Sequence, residues 1–273
     1  MLTTVLIALT GIAAQANAHF TTAHLLVNGT DTGLWKHVLK VAAPDDLYGG
    51  YDPAGMITPL YSDHFLNTSN ITCGRAAFKM LGQTEIADIV AGEEIGFRTL
   101  NEKDVRPGWG IGYFFHPGPA QVWLSRAPND DLKSYRGEGD WFKVAYAGPK
   151  NDTDWPLWSR WSENQKVQTD YNFTLPRTTP PGAYLLRFEY IYPNSYSAGF
   201  VQFFVNCALV NIHAPDASVK PGTPTGFVKF PGAYEPDDIG LLLPFTQDVE
   251  MGLPIEQLRL TEYKAPGPAV WQG

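Results

Sequence analysis

Two long runs in the last third of the chain constrain the fold more than any other feature. Gly182 to Tyr192 alternates with period two. It sets Leu186, Phe188, Tyr190 and Tyr192 on one face and Leu185, Arg187, Glu189 and Ile191 on the other. Phe200 to Ile212 repeats the pattern, with Val201, Phe203, Val205, Cys207 and Leu209 opposed by Gln202, Phe204 and Asn206. A helix turns every 3.6 residues and cannot sustain such alternation, so both runs are strands. The apolar Val201 to Leu209 face is expected to point to the core, which leaves Gln202 and Phe204 on a face that is solvent-exposed or part of a site. Further strands are expected at 21–27, 85–89, 94–100 and 120–125. The intervals 36–70 and 132–168 hold Gly, Pro, Asp and aromatics without a period and read as extended loops on a rigid scaffold. With 26 Gly and 22 Pro the chain favours short strands over long helices. The expectation is an antiparallel β-sandwich.

The N-terminus sets the compartment. Val5 to Ala14 is apolar but too short to span a bilayer as a helix, and Ala16-Asn17-Ala18 supplies the small-x-small cleavage pattern. Residues 1–18 are read as a signal peptide, which makes His19 the first residue of a secreted, extracellular protein. Nothing later in the sequence resembles a membrane span or a lipid-anchor tail. Sequons at Asn28, Asn67, Asn70, Asn151 and Asn172 agree with a glycoprotein. The two cysteines, Cys73 and Cys207, then face an oxidising compartment and are expected to pair. Such a long-range staple is worth roughly 4–5 kcal/mol in chain-entropy terms.

Composition narrows the partners. At 44% hydrophobic, 13% aromatic and 18% charged, the chain has enough apolar material for a sizeable core and is unlike a disordered sequence. A net charge of -8 argues against nucleic acid or an anionic membrane and suits a neutral partner such as a polysaccharide. No internal repeat, low-complexity block or linker divides residues 19–273, which read as a single domain.

Of six histidines, His24 is expected to pack or lie at the surface, and His37, His64 and His213 to lie at the surface. His19 differs because cleavage gives it a free α-amino group with an ordinary pKa near 8. An N-terminal histidine can chelate a metal through both amine and imidazole. One more imidazole completes a three-nitrogen set suited to Cu(II). His116 is the best second imidazole, since it stands where a strand runs into the Pro117-Gly118-Pro119 turn.

These pieces resemble the fungal lytic polysaccharide monooxygenases of auxiliary activity family 9. The likeness runs from His19-Phe20 through Ile71-Thr72-Cys73, His116-Pro117-Gly118-Pro119 and Val122-Trp123-Leu124-Ser125-Arg126-Ala127. It continues through Pro181-Gly182-Ala183-Tyr184-Leu185-Leu186-Arg187, Gln202-Phe203-Phe204, Phe230-Pro231-Gly232-Ala233-Tyr234 and Tyr263-Lys264-Ala265-Pro266-Gly267-Pro268-Ala269. The resemblance implies an all-β, immunoglobulin/fibronectin-III-like antiparallel β-sandwich with long surface loops; with two cysteines and no linker, no appended carbohydrate-binding module is expected. It implies one copper per chain held by His19 and His116, O2 or H2O2 as co-substrate, and an external electron donor that is a small reductant or a redox protein. The implied reaction is hydroxylation at C1 and/or C4 of a β-1,4-linked polysaccharide, cellulose or a related glucan, by a monomeric enzyme. Gln202 matches a glutamine that hydrogen-bonds towards the oxygen species, and Tyr263 an aromatic that stacks on a sugar ring.

Two positions near the expected metal depart from the family pattern, and Phe188 stands where the family often has another histidine. Where the family carries an axial tyrosine, this chain has Phe204, which can shield the axial position but offers copper no oxygen. Where the family carries a second histidine near the metal, this chain has Asn194, which can hydrogen-bond to an oxygen species but does not donate a proton near neutral pH. Both changes favour an alternative reading, a non-catalytic copper-binding cell-wall protein on the same scaffold.

Overall fold

The computed structural model describes residues 19–44, 50–51, 53–101, 104, 112–158 and 168–273. The expected signal peptide lies outside the described residues, as do parts of both expected loop intervals. The strands, in chain order, are β1 (Thr22–Val27), β2 (Thr30–Asp31), β3 (Leu60–Tyr61), β4 (Ala87–Val90), β5 (Glu94–Thr99), β6 (Ala120–Arg126), β7 (Phe142–Ala147), β8 (Asp170–Thr174), β9 (Gly182–Tyr192) and β10 (Gln202–His213). Three one-turn helices occur, α1 (Pro53–Met56) and α2 (Ser62–Phe65) within the first expected loop and α3 (Asn70–Cys73) at its end. Among the described residues, no helix is long and apolar enough to cross a membrane.

The strands form a β-sandwich. One sheet is ordered β2-β1-β5-β8, and the other β3-β10-β9-β6-β7, with β4 also pairing along β10. All pairings are antiparallel except β4 with β10. Between the sheets lies a core built from Leu25, Ile95, Phe97, Tyr171 and Phe173 on one side and Val122, Leu124, Leu186, Phe188, Tyr190, Phe204 and Ala208 on the other.

The sandwich expectation holds, but the assignment of faces needs correcting. The Phe204–Asn206 face of β10 is the inter-sheet face and is buried, not solvent-exposed. The Cys207 face is buried as well, under a second apolar layer drawn from the long connections: Leu39, Leu60, Ile71, Leu81, Phe230, Tyr234 and Leu241. Because loops cover the outside of the larger sheet, apolar residues occur on both faces of its central strands, and alternation alone could not tell the two layers apart.

The outer layer encloses charge. Arg187 and Glu189 are fully buried and paired at 2.7 Å. Glu189 also accepts from Gln121 Nε2 and Trp123 Nε1, each at 3.1 Å, and from the Tyr234 hydroxyl. Arg187 donates to the Ile71 and Thr72 carbonyls and lies 3.8 Å from the Phe230 ring centroid. These bonds offset much of the desolvation cost of burying the pair, although Arg187 Nη1 has no hydrogen-bond partner among the described residues. The expected Cys73–Cys207 disulfide closes beside this network, across 134 residues of sequence. Together they tie α3 and the Phe230–Tyr234 segment to β9 and β10.

Candidate metal centre

The site is assembled at the end of the larger sheet where β9 finishes and β10 begins. Across that pair, Tyr192 faces Gln202 and Tyr190 faces Phe204. Side chains of directly opposed residues share a face, so these four form one patch. His19 and His116 come to this patch from two other segments. Their ring centroids are 5.7 Å apart with planes tilted by 44°, and Phe204 lies 6.1 Å from one and 6.0 Å from the other.

His19 is placed by the residues that follow it. Phe20 stacks on Phe204 at 4.3 Å and meets Phe114 and Tyr190 edge-on at 5.1 and 5.3 Å. Next in sequence, the Thr21 hydroxyl and the amide and hydroxyl of Thr22 all donate to Asn206 Oδ1, at 2.9–3.1 Å. The segment that follows His19 is thereby bonded to β10 through a buried side chain.

His116 is placed by β9. Its carbonyl accepts from the Tyr190 hydroxyl at 2.6 Å, and the Ile191 amide donates to the Pro119 carbonyl at 3.0 Å. Gly118 is required at this crossing: a Cβ there would sit 1.9 Å from the Ile191 carbonyl oxygen. The imidazole itself stacks against Tyr192 at 4.2 Å, with planes 13° apart.

The electrostatics suit a metal. His116 is only 8% exposed, and neither ring nitrogen has a hydrogen-bond partner among the described residues. Leaving such nitrogens unpaired costs about 1–3 kcal/mol unless something else takes them up. Burial, with a smaller contribution from His19, pushes the His116 imidazole down to about 3. Burial also lowers His19. Both rings are therefore neutral near pH 7, the form in which imidazole binds a metal. Among the described residues, no group of three or more His, Cys, Asp or Glu side chains converges anywhere. A metal held here needs a donor beyond these side chains, and the α-amine of a processed His19 would supply it.

The remaining expected site residues divide. Gln202 heads β10 beside Tyr192, with its Oε1 buried and unpartnered among the described residues. Asn194 is buried and its Oδ1 is already engaged by the Tyr196 and Ser197 amides at 3.1 and 2.9 Å, so only Nδ2 is left to donate. Tyr263 corrects the expectation of a sugar-stacking ring. It is buried against Trp155 at 4.9 Å and donates its hydroxyl to the Gly240 carbonyl at 2.8 Å. It belongs to a small apolar cluster with Leu243, Leu258 and Leu260.

Of the sequon residues, Asn28, Asn67, Asn151 and Asn172 are exposed and Asn70 is half-buried. His64 and His213 are exposed as expected. His37 is buried instead, with Nδ1 at 3.1 Å from the Glu85 carbonyl, and His24 is buried between Asp31 and Asp104. Sequence reasoning missed Tyr192 as a site residue. The only signal was its place on the Tyr190 face of β9, and that becomes informative once the β9–β10 register is known.

The family model for auxiliary activity family 9, formerly glycoside hydrolase family 61, matches residues 19–251. This chain belongs to that family. It is 48% identical to the AA9 family lytic polysaccharide monooxygenase U of Thermothielavioides terrestris, over 94% of each chain. It is 32% identical to the monooxygenase C of Emericella nidulans, over 96% of this chain and 95% of that one. The crystal structure of HiLPMO9B shares the fold with a TM-score of 0.64, covering 93% of this chain and all of that one at 20% identity.

Proposed function

We propose that this family 9 member is a secreted copper-dependent monooxygenase that cleaves a β-1,4-linked polysaccharide by hydroxylation at C1 and/or C4. The observation that carries the reading is the convergence of His19 and His116, with both nitrogens of a buried imidazole unpaired. The family match beginning at His19 supports cleavage after Ala18 and an amine donor at that residue. Copper bound there would supply one-electron redox chemistry and the activation of O2 or H2O2, with electrons from an external donor.

The chain's own residues would do the rest. The two imidazoles would hold the metal, and the Phe204 ring, about equally far from both, would close one side of the site with hydrocarbon. Gln202 offers a side-chain amide at the end of the same patch, and Asn194 Nδ2 offers a further N–H. For the substrate, we assign the surface role not to Tyr263 but to Tyr196 and Phe200. These rings are each 57% exposed, 5.9 Å apart, and lie between Asn194 and Gln202 in sequence. Flat aromatic rings suit the apolar face of a pyranose.

The alternative, a copper protein that does not cleave, draws on two observations: Phe204 carries no oxygen, and Asn194 Oδ1 is consumed by its own turn. The deciding experiment uses the processed protein with swollen cellulose, a hemicellulose panel, ascorbate and H2O2. Aldonic-acid or 4-keto products that vanish with a chelator and in His116→Ala support the monooxygenase. One tightly bound copper with no oxidised product on any glucan supports the alternative. Absence of tight copper binding in the wild type overturns both.

A further inference from the structure

A metal-binding histidine is ordinarily oriented by its second nitrogen, which donates to a carboxylate or a carbonyl. His116 has no such bond among the described residues. Its backbone is held by Tyr190 and by the Gly118 crossing, but neither contact determines the rotation of the ring. The closest contact on the ring itself is the parallel face of Tyr192, 4.2 Å away, with Phe115 edge-on at 5.3 Å.

Tyr192 is itself secured from a distant part of the chain. Its hydroxyl donates to Glu250, 58 residues later. The segment carrying Glu250 is bound to the end of β9 at several points. Asp248 accepts from the Ser195 amide and hydroxyl at 2.9 and 2.8 Å and from the Glu250 amide at 3.1 Å. The Asn194 amide and carbonyl bond to Leu241 and Leu243 at 3.2 and 2.8 Å. A continuous line of contacts therefore runs from the 241–250 segment through Glu250 and Tyr192 to the His116 ring.

We infer that Tyr192 is the positioning residue for His116, with Glu250 as its anchor, so that the 241–250 segment governs the orientation of the metal-binding imidazole. Face-on packing replaces the missing hydrogen bond at the second nitrogen. The inference builds on the proposed function in taking His116 as a ligand, but its geometric part does not need a metal. Removing the ring frees imidazole rotation, whereas removing only the hydroxyl leaves the ring present with its anchor cut.

Two readouts test this on the processed, full-length protein. In the metal-free protein, the Tyr192 ring current should shift the His116 ring C–H resonances upfield. Tyr192→Leu should abolish that shift, Tyr192→Phe should reduce it and broaden the lines, and Glu250→Gln should retain it. With copper(II), titration should show roughly 10–100-fold weaker binding in Tyr192→Leu, in line with the loss of other groups that orient metal ligands. The electron paramagnetic resonance hyperfine pattern should change in that variant, with near wild-type behaviour in Glu250→Gln. A variant that lowers Tm but leaves the copper affinity within two-fold and the spectrum unchanged has lost only packing, and that result overturns the inference. Identical His116 resonances in wild type and Tyr192→Leu overturn it as well. A wild type that binds no copper but shows the ring-current effect overturns the metal reading and leaves the positioning role standing.

Discussion

The two imidazoles of the site are held by opposite means. His19 depends on the core: Phe20 is wedged between Phe204, Phe114 and Tyr190, and Thr21 and Thr22 donate into a buried asparagine. His116 has its backbone fastened to β9, but its ring leans on Tyr192, whose own anchor, Glu250, lies at the exposed rim. The first arm cannot be disturbed without disturbing the fold, because its contacts are also core contacts. The second arm carries its orienting contact at the end of the sheet, where Tyr192 is only partly buried. One site thus combines a support that is inseparable from stability with one that can be altered separately.

The strongest way to break this comparison is Phe20→Ala. It removes a fully buried ring and should cost about 3–5 kcal/mol in urea unfolding, with copper affinity falling in parallel. Unchanged copper affinity in a destabilised Phe20→Ala protein would show that His19 is not held through the core. Next in size is Asn206→Ala, which leaves the Thr21 hydroxyl and the Thr22 amide and hydroxyl without their acceptor. About 1–3 kcal/mol of stability should be lost, together with weaker copper binding. An effect on stability alone would separate the Thr21–Thr22 tether from the placement of His19.

The pH dependence sharpens the His116 side. Its imidazole sits at about 3 when folded against an ordinary value of 6.5, so between those values the unfolded chain binds a proton that the folded chain does not. This contribution to stability is present in full above pH 6.5 and is lost as pH falls towards 3, with a slope of up to ~1.4 kcal/mol per pH unit. In the metal-free protein, His116→Gln should flatten the stability curve across that window. An unchanged slope would mean the imidazole is more accessible to protons than its burial indicates. The smallest effect is expected from Phe204→Tyr. The stack on Phe20 should survive, Tm should move by no more than a few degrees, and oxidised-product yield should be kept or raised. A large loss would mean the space beside the imidazoles cannot take a hydroxyl.

Much of the framework was legible because it rests on local pattern. Strand β9 runs over the residues its alternation marks, and β10 differs from its expected range by a residue or two at each end. His19 and His116 could be paired because each stands at an unusual chemical position, an expected new N-terminus and a Pro/Gly turn. Strands β7 and β8 fell in or beside an interval read as loop. Phe142–Ala147 has Lys143 pointing into the fold, where it donates to the Pro266 carbonyl and lies over Trp123, so its polarity does not mark an outer face. The burial of Arg187 and Glu189 was not legible either, since nothing local announces carbonyls more than a hundred residues away for Arg187 or the Gln121, Trp123 and Tyr234 donors for Glu189. Tyr263 was misplaced because a sequence resemblance carries residue type and order but not depth.

The amino-acid sequence by itself determined the strand-rich sandwich, the disulfide pair and the two histidines suited to one metal. These follow from periodicity, cysteine count and the chemistry of single positions. The tertiary structure alone decided that both faces of the larger sheet are buried, that Tyr263 lies inside, and that Tyr192 meets His116 while Glu250 holds Tyr192. Those facts depend on which distant segments pack together. Long-range packing is settled by the shape and volume left between elements, and no residue's identity or immediate neighbours encode it.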